Sequence, residues 1–199
     1  SANERWSWVV RATNDGVWDW DLSHDTIYFS PRWREMHGFQ ISDQTESLPQ
    51  WSERIHPEDR RRVLKNLQDY LAGTCQTFWE EYRIQRKTGT YMWVLDRGIA
   101  IFNDEGRAIR MVGAETDITW RKEAEEVLLR REHEFRTLAD NVPAFFSYID
   151  RDRRYRFVNK RYEELFGRSD EALVGLSVQD LLGLDGYAQT QPHLDKALA

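Results

Sequence analysis

The side chains best placed to do chemistry are a histidine followed by two acids, His56-Pro57-Glu58-Asp59, and two adjacent carboxylates, Glu80 and Glu81. A histidine beside a carboxylate can serve as a general base, and paired carboxylates can share a proton. Neither motif carries the rest of a catalytic set. No nucleophile stands at a recognisable spacing from His56, and no Gly-rich phosphate loop is present. Glu80 and Glu81 are neighbours in a strand-like stretch, which sends them to opposite faces. The other histidines offer no metal site: His24 lies in a turn, His37 precedes Gly38, and no two stand at i,i+4. Cys75 is the single cysteine, which excludes an internal disulfide and a Cys-based metal cluster and fits a reducing compartment. Catalysis by these residues is therefore not expected.

Two other groups of residues invite a function. Trp33, Trp79, Tyr82 and Trp93 could line a ligand pocket or stack on a flavin, although aromatic residues at strand spacing more often form core. Asp117-Ile118-Thr119 stands where a strand gives way to a charged helical run. A carboxylate and a hydroxyl there suit a helix cap, because the first helical amides lack partners. The same position suits a joint, where a shift in the sheet would alter the cap and redirect the helix. Arg83 and Arg97 are the candidate partners of Asp117.

The elements that must hold these residues follow from periodicity. Thr77 to Thr119 reads as three antiparallel strands with turns at Lys87-Thr88-Gly89 and Asn103-Asp104-Glu105-Gly106. Ahead of it come an amphipathic helix over 4–13, short strands over 17–22 and 26–29, and a helix opened by Ser30-Pro31 and closed by Gly38. A polar, loop-like stretch over 41–50 follows. Next is a helix starting at His56-Pro57-Glu58-Asp59, with Val63, Leu64, Leu67 and Leu71 as its buried stripe. Residues 119–140 form a linker helix on which Ala124, Leu128, Phe135 and Leu138 give a short heptad-like seam. That seam fits either a coiled coil or a helix packed on its own domain. Asn141 to Gly167 then repeats the strand, turn, strand, helix, Gly order of Asn14 to Gly38, with helices expected over 173–184 and 187–198. No second three-strand meander follows, so 141–199 reads as the first half of another domain.

The net charge of -6 argues against nucleic acid or an anionic membrane as a partner, and no run approaches the roughly 20 apolar residues of a spanning helix.

Taken as a set, Gly16 through Asp21, Pro31 to Gly38, Ile55 through Asp59, Glu81-Tyr82-Arg83, Gly89 through Val94, Gly113 and Asp117-Ile118-Thr119 with Arg121-Lys122 resemble the PAS family in the form with a C-terminal PAC motif. The stretch RYRFVNKRYEELFG of the second unit resembles the start of another PAS domain. The resemblance implies an α+β fold: a five-stranded antiparallel sheet with flanking helices over 14–118, a linker helix, and an incomplete second PAS domain. It implies a cytoplasmic, homodimeric sensory module that perceives a small ligand or partner and relays the signal to a C-terminal output domain, such as a histidine kinase or diguanylate cyclase. The other reading is a ligand-free dimerisation module. Haem-binding members carry a ligand His on the helix before the meander. That helix has none here, so haem is not expected. Cys75 lacks the Asn-Cys-Arg context of flavin-adduct members.

Overall fold

The computed structural model describes residues 14–40, 43 and 47–198, so the helix expected over 4–13 lies outside the described residues. The chain divides into two units, Ser1–Ala124 and Glu125–Ala199.

The first unit is built on a five-stranded antiparallel sheet of β1 (Gly16–Asp21), β2 (Thr26–Phe29), β3 (Phe78–Gln85), β4 (Tyr91–Phe102) and β5 (Ala108–Asp117), in the spatial order β2-β1-β5-β4-β3. Alternation assigns the faces. Trp18 and Trp20 of β1, Phe78, Tyr82 and Ile84 of β3, Met92 and Val94 of β4, and Met111 of β5 all point to one buried face. Three helices join the same core: α1 (Pro31–His37), α2 (Leu48–Arg54) and α3 (Pro57–Leu71), through Trp33, Met36, Trp51, Val63, Leu67 and Tyr70.

Local signals explain the helix ends. Ser30 Oγ accepts from the Trp33 amide at 3.3 Å, Pro31 opens α1, and Gly38 closes it in the left-handed conformation (φ 77°). His56 Nδ1 caps α3 by accepting from the Glu58 amide at 3.3 Å. Helix α2 corrects the end of the loop expected over 41–50, of which 41, 42 and 44–46 lie outside the described residues. Ser47 and Gln50 form a capping box, with the Ser47 amide donating to Gln50 Oε1 at 2.8 Å, and Pro49 lies in the first turn. A polar, Pro-containing stretch therefore starts a helix instead of remaining a loop.

Two glycines shape the middle of the sheet. Gly113 sits opposite both Trp18 and Gly98 in the ladder. A Cβ on Gly113 would lie 2.1 Å from the Trp18 indole, and one on Gly98 would lie 2.8 Å from it. The indole thus lies flat across two strands that lack side chains there, and its nitrogen reaches β4.

Helix α4 (Thr119–Asn141) follows β5 directly. The second unit contains a two-stranded antiparallel sheet, β6 (Ser147–Ile149) and β7 (Tyr155–Val158), then α5 (Lys160–Phe166), α6 (Asp170–Leu173) and α7 (Val178–Leu198), which is broken at Gly183. The expected repeat is present, and Gly167 (φ 63°) closes α5 as Gly38 closes α1. The helix expected over 187–198 is present as the part of α7 beyond the break at Gly183, whereas the one expected over 173–184 begins only at Val178, after α6 has ended at Leu173. Leu173 and Val178 are needed in the core with Tyr155 and Val158, and the chain turns between them.

Candidate functional site

The buried face of the sheet carries a row of three acids. Glu80 on β3 stands opposite Asp96 on β4, and Asp96 stands opposite Glu115 on β5. All three are buried, Asp96 and Glu115 almost completely. Each has its own arrangement of partners.

Glu80 accepts from Asn66 Nδ2 at 2.7 Å and forms an ion pair with Arg62, both from α3. Glu115 meets His37 of α1, with Oε1 2.5 Å from Nε2. On the other side of that ring, Arg54 Nη1 of α2 lies 3.0 Å from His37 Nδ1. A guanidinium can only donate, so Nδ1 must accept and the ring proton sits on Nε2, where it is given to Glu115. Glu115 is thereby linked to the Arg54 cation through a neutral imidazole. Asp96 in the middle is held by neutral donors alone: Trp18 Nε1 at 2.8 Å on Oδ1 and the Tyr82 hydroxyl at 2.9 Å on Oδ2.

These environments shift the carboxyls upward. Burial first, and then the charge of Glu115, push Asp96 up to about 8. Burial pushes Glu115 up to about 7, opposed by Arg54 and by the nearby Trp33 indole. Two carboxylates side by side in a dry site resist holding charge together.

Asp96 and Glu115 line a cavity of about 40 Å³ whose other walls include Trp18, Trp20, Phe29, Trp33 and Trp51. That volume admits about three water-sized groups. Trp33 is clamped in place, stacked on Phe29 at 3.7 Å and on His37 at 3.8 Å between ring centroids. Its Nε1 is buried with no hydrogen-bond partner in proper geometry.

Of the four aromatics expected to form a pocket, Trp33 lines this cavity and Tyr82 backs it. Trp79 and Trp93 lie on the opposite face of the sheet. Trp79 is 57% exposed beside Arg97, and Trp93 lies beneath Arg83 and Lys122. The cause is parity: Trp79 and Tyr82 are three residues apart on one strand, so they face opposite ways. The four cannot stack on one flavin, and a tricyclic ring does not fit the inner cavity. The sequence does not single out Asp96 or Glu115, and it offers His37 only as a metal ligand to be set aside. The available signal was phase, since Asp96 alternates with buried Met92 and Val94, and Glu115 with Met111.

The sheet-to-helix joint is assembled as its residue types suggest, with different arginines. Asp117 Oδ1 accepts from the Thr119 amide at 2.9 Å, and Oδ2 accepts from Arg86 at 2.9 Å. Neither expected partner reaches it: Arg83 binds Asp59 and Glu58, and Arg97 binds Asp15 and Thr116. Trp93 of β4 clamps the joint twice. Its amide donates to Thr119 Oγ1 at 3.1 Å, and its carbonyl accepts from the amide of buried Ile118 at 2.9 Å. Glu81 on β3 accepts from Arg121 at 2.5 Å and pairs with Lys122 at 2.7 Å in the first turn of α4.

Further along α4, Ala124, Leu128 and Leu138 are exposed, while Phe135 packs against Phe146 and Phe157 of the second unit. Among the described residues, no three His, Cys, Asp or Glu are grouped to hold a metal, and no helix is long and apolar enough to cross a membrane.

A PAS-fold model matches residues 26–115 and a second PAS-fold model matches 139–199. The chain is 26% identical over 180 residues to the probable diguanylate cyclase DgcE of Escherichia coli, covering 90% of this chain and 16% of that protein. It is 27% identical over 170 residues to the sensor protein FixL of Bradyrhizobium diazoefficiens, covering 84% and 33%. It thus spans between a sixth and a third of the length of these two relatives. A solved sensory box histidine kinase/response regulator structure from Burkholderia thailandensis is 33% identical with a TM-score of 0.59, covering 67% of this chain and 98% of that one. A match in each unit, and a solved relative covered almost end to end, show that the chain belongs to the PAS family, as a sensory and regulatory part of a signalling protein.

Proposed function

We propose that the inner cavity of the first unit is the input site of the module and that Asp117-Ile118-Thr119 passes its state to α4. One observation carries this reading: β4 and β5 hold both the buried acids and the joint. Asp96 and Glu115 face each other across these strands, and two residues further along Val94 faces Asp117. A change in charge or occupancy between Asp96 and Glu115 therefore acts on the ladder from which Trp93 grips Ile118 and Thr119. The output would be a shift in the population of α4 packing arrangements within a homodimer, read by a C-terminal output domain. The relatives named as a diguanylate cyclase and a sensor protein fit such an output.

A substitution that mimics a change of input tests the relay without knowledge of a ligand. Asp96→Asn is expected to alter hydrogen exchange at the amides of residues 119–122, and Asp117→Ala is expected to abolish that response in the double variant. Exchange at 119–122 that ignores Asp96→Asn would refute the relay.

A ligand-free interaction module is the second reading. It is favoured by the open face of the sheet, where Trp79 and Ile99 are exposed.

A further inference from the structure

We propose that the inner cavity binds a small primary ammonium ion, placed between Asp96 and Glu115 and walled by Trp18, Trp33 and Trp51. This deepens the reading of the cavity as the input site and rests on it.

The charge count leads there. Three acids stand in a row, and the helices supply one cation to each outer member: Arg62 to Glu80 directly, and Arg54 to Glu115 through His37. The middle acid, Asp96, receives only the neutral donors Trp18 and Tyr82. With all three ionised the row is one positive charge short, so the site takes one proton or one monovalent cation. Its walls choose between cations. Indole and phenyl faces attract organic ammonium ions, and an alkyl stem leaves fewer waters to strip than a hydrated inorganic ion. The volume sets the size. A cavity of about 40 Å³ suits an ammonium with two to four non-hydrogen atoms and excludes a quaternary or polyamine ligand.

A separate observation points to a ligand here. Trp33 Nε1 is buried at the cavity wall, near enough to Glu115 to oppose the rise of its carboxyl but outside proper hydrogen-bond geometry, so this donor is poorly satisfied and can take a better acceptor. Carboxylates already occupied on both sides serve it poorly. A hydroxyl on the ligand would satisfy it, so ethanolammonium is expected to bind more tightly than ethylammonium.

Because a proton and the ammonium compete for one vacancy, binding must expel the proton from Asp96. The ionisable groups facing it are Glu115 on β5, Tyr82 and Glu80 on β3, His37 on α1, Arg54 on α2 and Arg62 on α3. The arginines stay charged throughout, and the neutral Nε2-protonated form of His37 is fixed by Arg54. Glu115, itself raised to about 7, shares the retained protons with Asp96, so affinity for the amine should climb by roughly tenfold or more per pH unit from about pH 6 and level off near about pH 8, where the free pair ionises.

The test is calorimetric titration of the whole chain with ethanolammonium, ethylammonium and tetramethylammonium chlorides, against sodium chloride. Each is run at both ends of that pH range and in two buffers of different ionisation enthalpy. The expected result is one site, tighter at the higher pH, releasing between one and two protons at the lower pH from the Asp96–Glu115 pair, with tetramethylammonium and sodium inert. Asp96→Asn should abolish it. No binding by either primary amine overturns the proposal, as does binding that releases no proton or survives in a folded Asp96→Asn. If that variant does not fold, proton release by the native chain still decides. Failure here with a positive hydrogen-exchange response to Asp96→Asn would reject the ligand class and leave the relay intact. Amine binding that leaves residues 119–122 unmoved would do the reverse.

Discussion

Asp96 is a carboxyl placed where a charge is costly, and this fixes how the first unit should respond to pH. In the unfolded chain it ionises near 3.8, whereas in the folded chain it keeps its proton to about 8. Between those values the unfolded chain has released a proton that the folded chain retains, so raising the pH favours unfolding. Stability from this group is complete below about pH 4 and is lost as pH rises toward 8. Asp96→Asn keeps an acceptor for Trp18 and removes the titration. It should flatten the decline between pH 5 and pH 8 by about 2 to 4 kcal/mol, measured by urea denaturation across that range. An unchanged slope would mean that Asp96 is already charged in the folded chain. Part of this site was legible beforehand. Asp96 falls in phase with Met92 and Val94, which marks an acid aimed at a core. What could not be read was its company: His37 and Glu115 are 78 residues apart and meet only because α1 packs over β5. Parity was the neglected signal for the aromatics, since residues three apart on one strand, such as Trp79 and Tyr82, cannot share a pocket.

At the scale of elements, the meander and the joint were readable because their signals are local. Alternation and Gly turns set β3, β4 and β5, and a carboxylate two residues before a helical amide is a cap whatever surrounds it. Helix α2 is hard to read from the sequence although Ser47 and Gln50 spell a capping box, because the surrounding polar residues resemble a loop. The partner of Asp117 is a matter of competition: Arg97 lies on the adjacent strand β4 and Arg83 on β3 beyond it, each is engaged by another acid, and Arg86, just past the end of β3, reaches the joint instead. Asp117 joins a cap to a half-buried ion pair, so Asp117→Ala should cost the first unit about 1 kcal/mol and leave it folded. Glu81→Gln weakens contacts to Arg121 and Lys122 that are about as exposed as the Asp117–Arg86 pair but removes no helix cap, and should cost less. Urea midpoints of the two variants test this order, and a Glu81→Gln loss as large as that of Asp117→Ala would move the main anchor of α4 from the cap to the β3 acid.

For the molecule as a whole, the open question is what covers α4. Leu128 and Leu138 are 69% and 70% exposed, while Phe135, the other large member of the expected seam, is engaged with Phe146 and Phe157. Phe135, itself 48% exposed, touches those two rings of its own unit, whereas Leu128 and Leu138 are the more exposed members of the seam. A second copy of this chain burying Leu128 would gain about 1.5 to 3 kcal/mol for each leucine fully covered. Because a homodimer loses that burial twice, Leu128→Lys should raise its dissociation constant by roughly a hundredfold or more, read by light scattering over a dilution series. Leu138→Lys should act in the same direction. Phe135→Lys is a poor probe of association, because it would also disrupt the aromatic cluster of the second unit. The converse substitution supplies the control: Trp79→Lys, on the open face of the first unit's sheet, should leave the mass unchanged if α4 carries the dimer. If Trp79→Lys dissociates it and Leu128→Lys does not, copies associate through the sheet. A signal arriving at Thr119 would then have to be read along the helix by something other than its own twin.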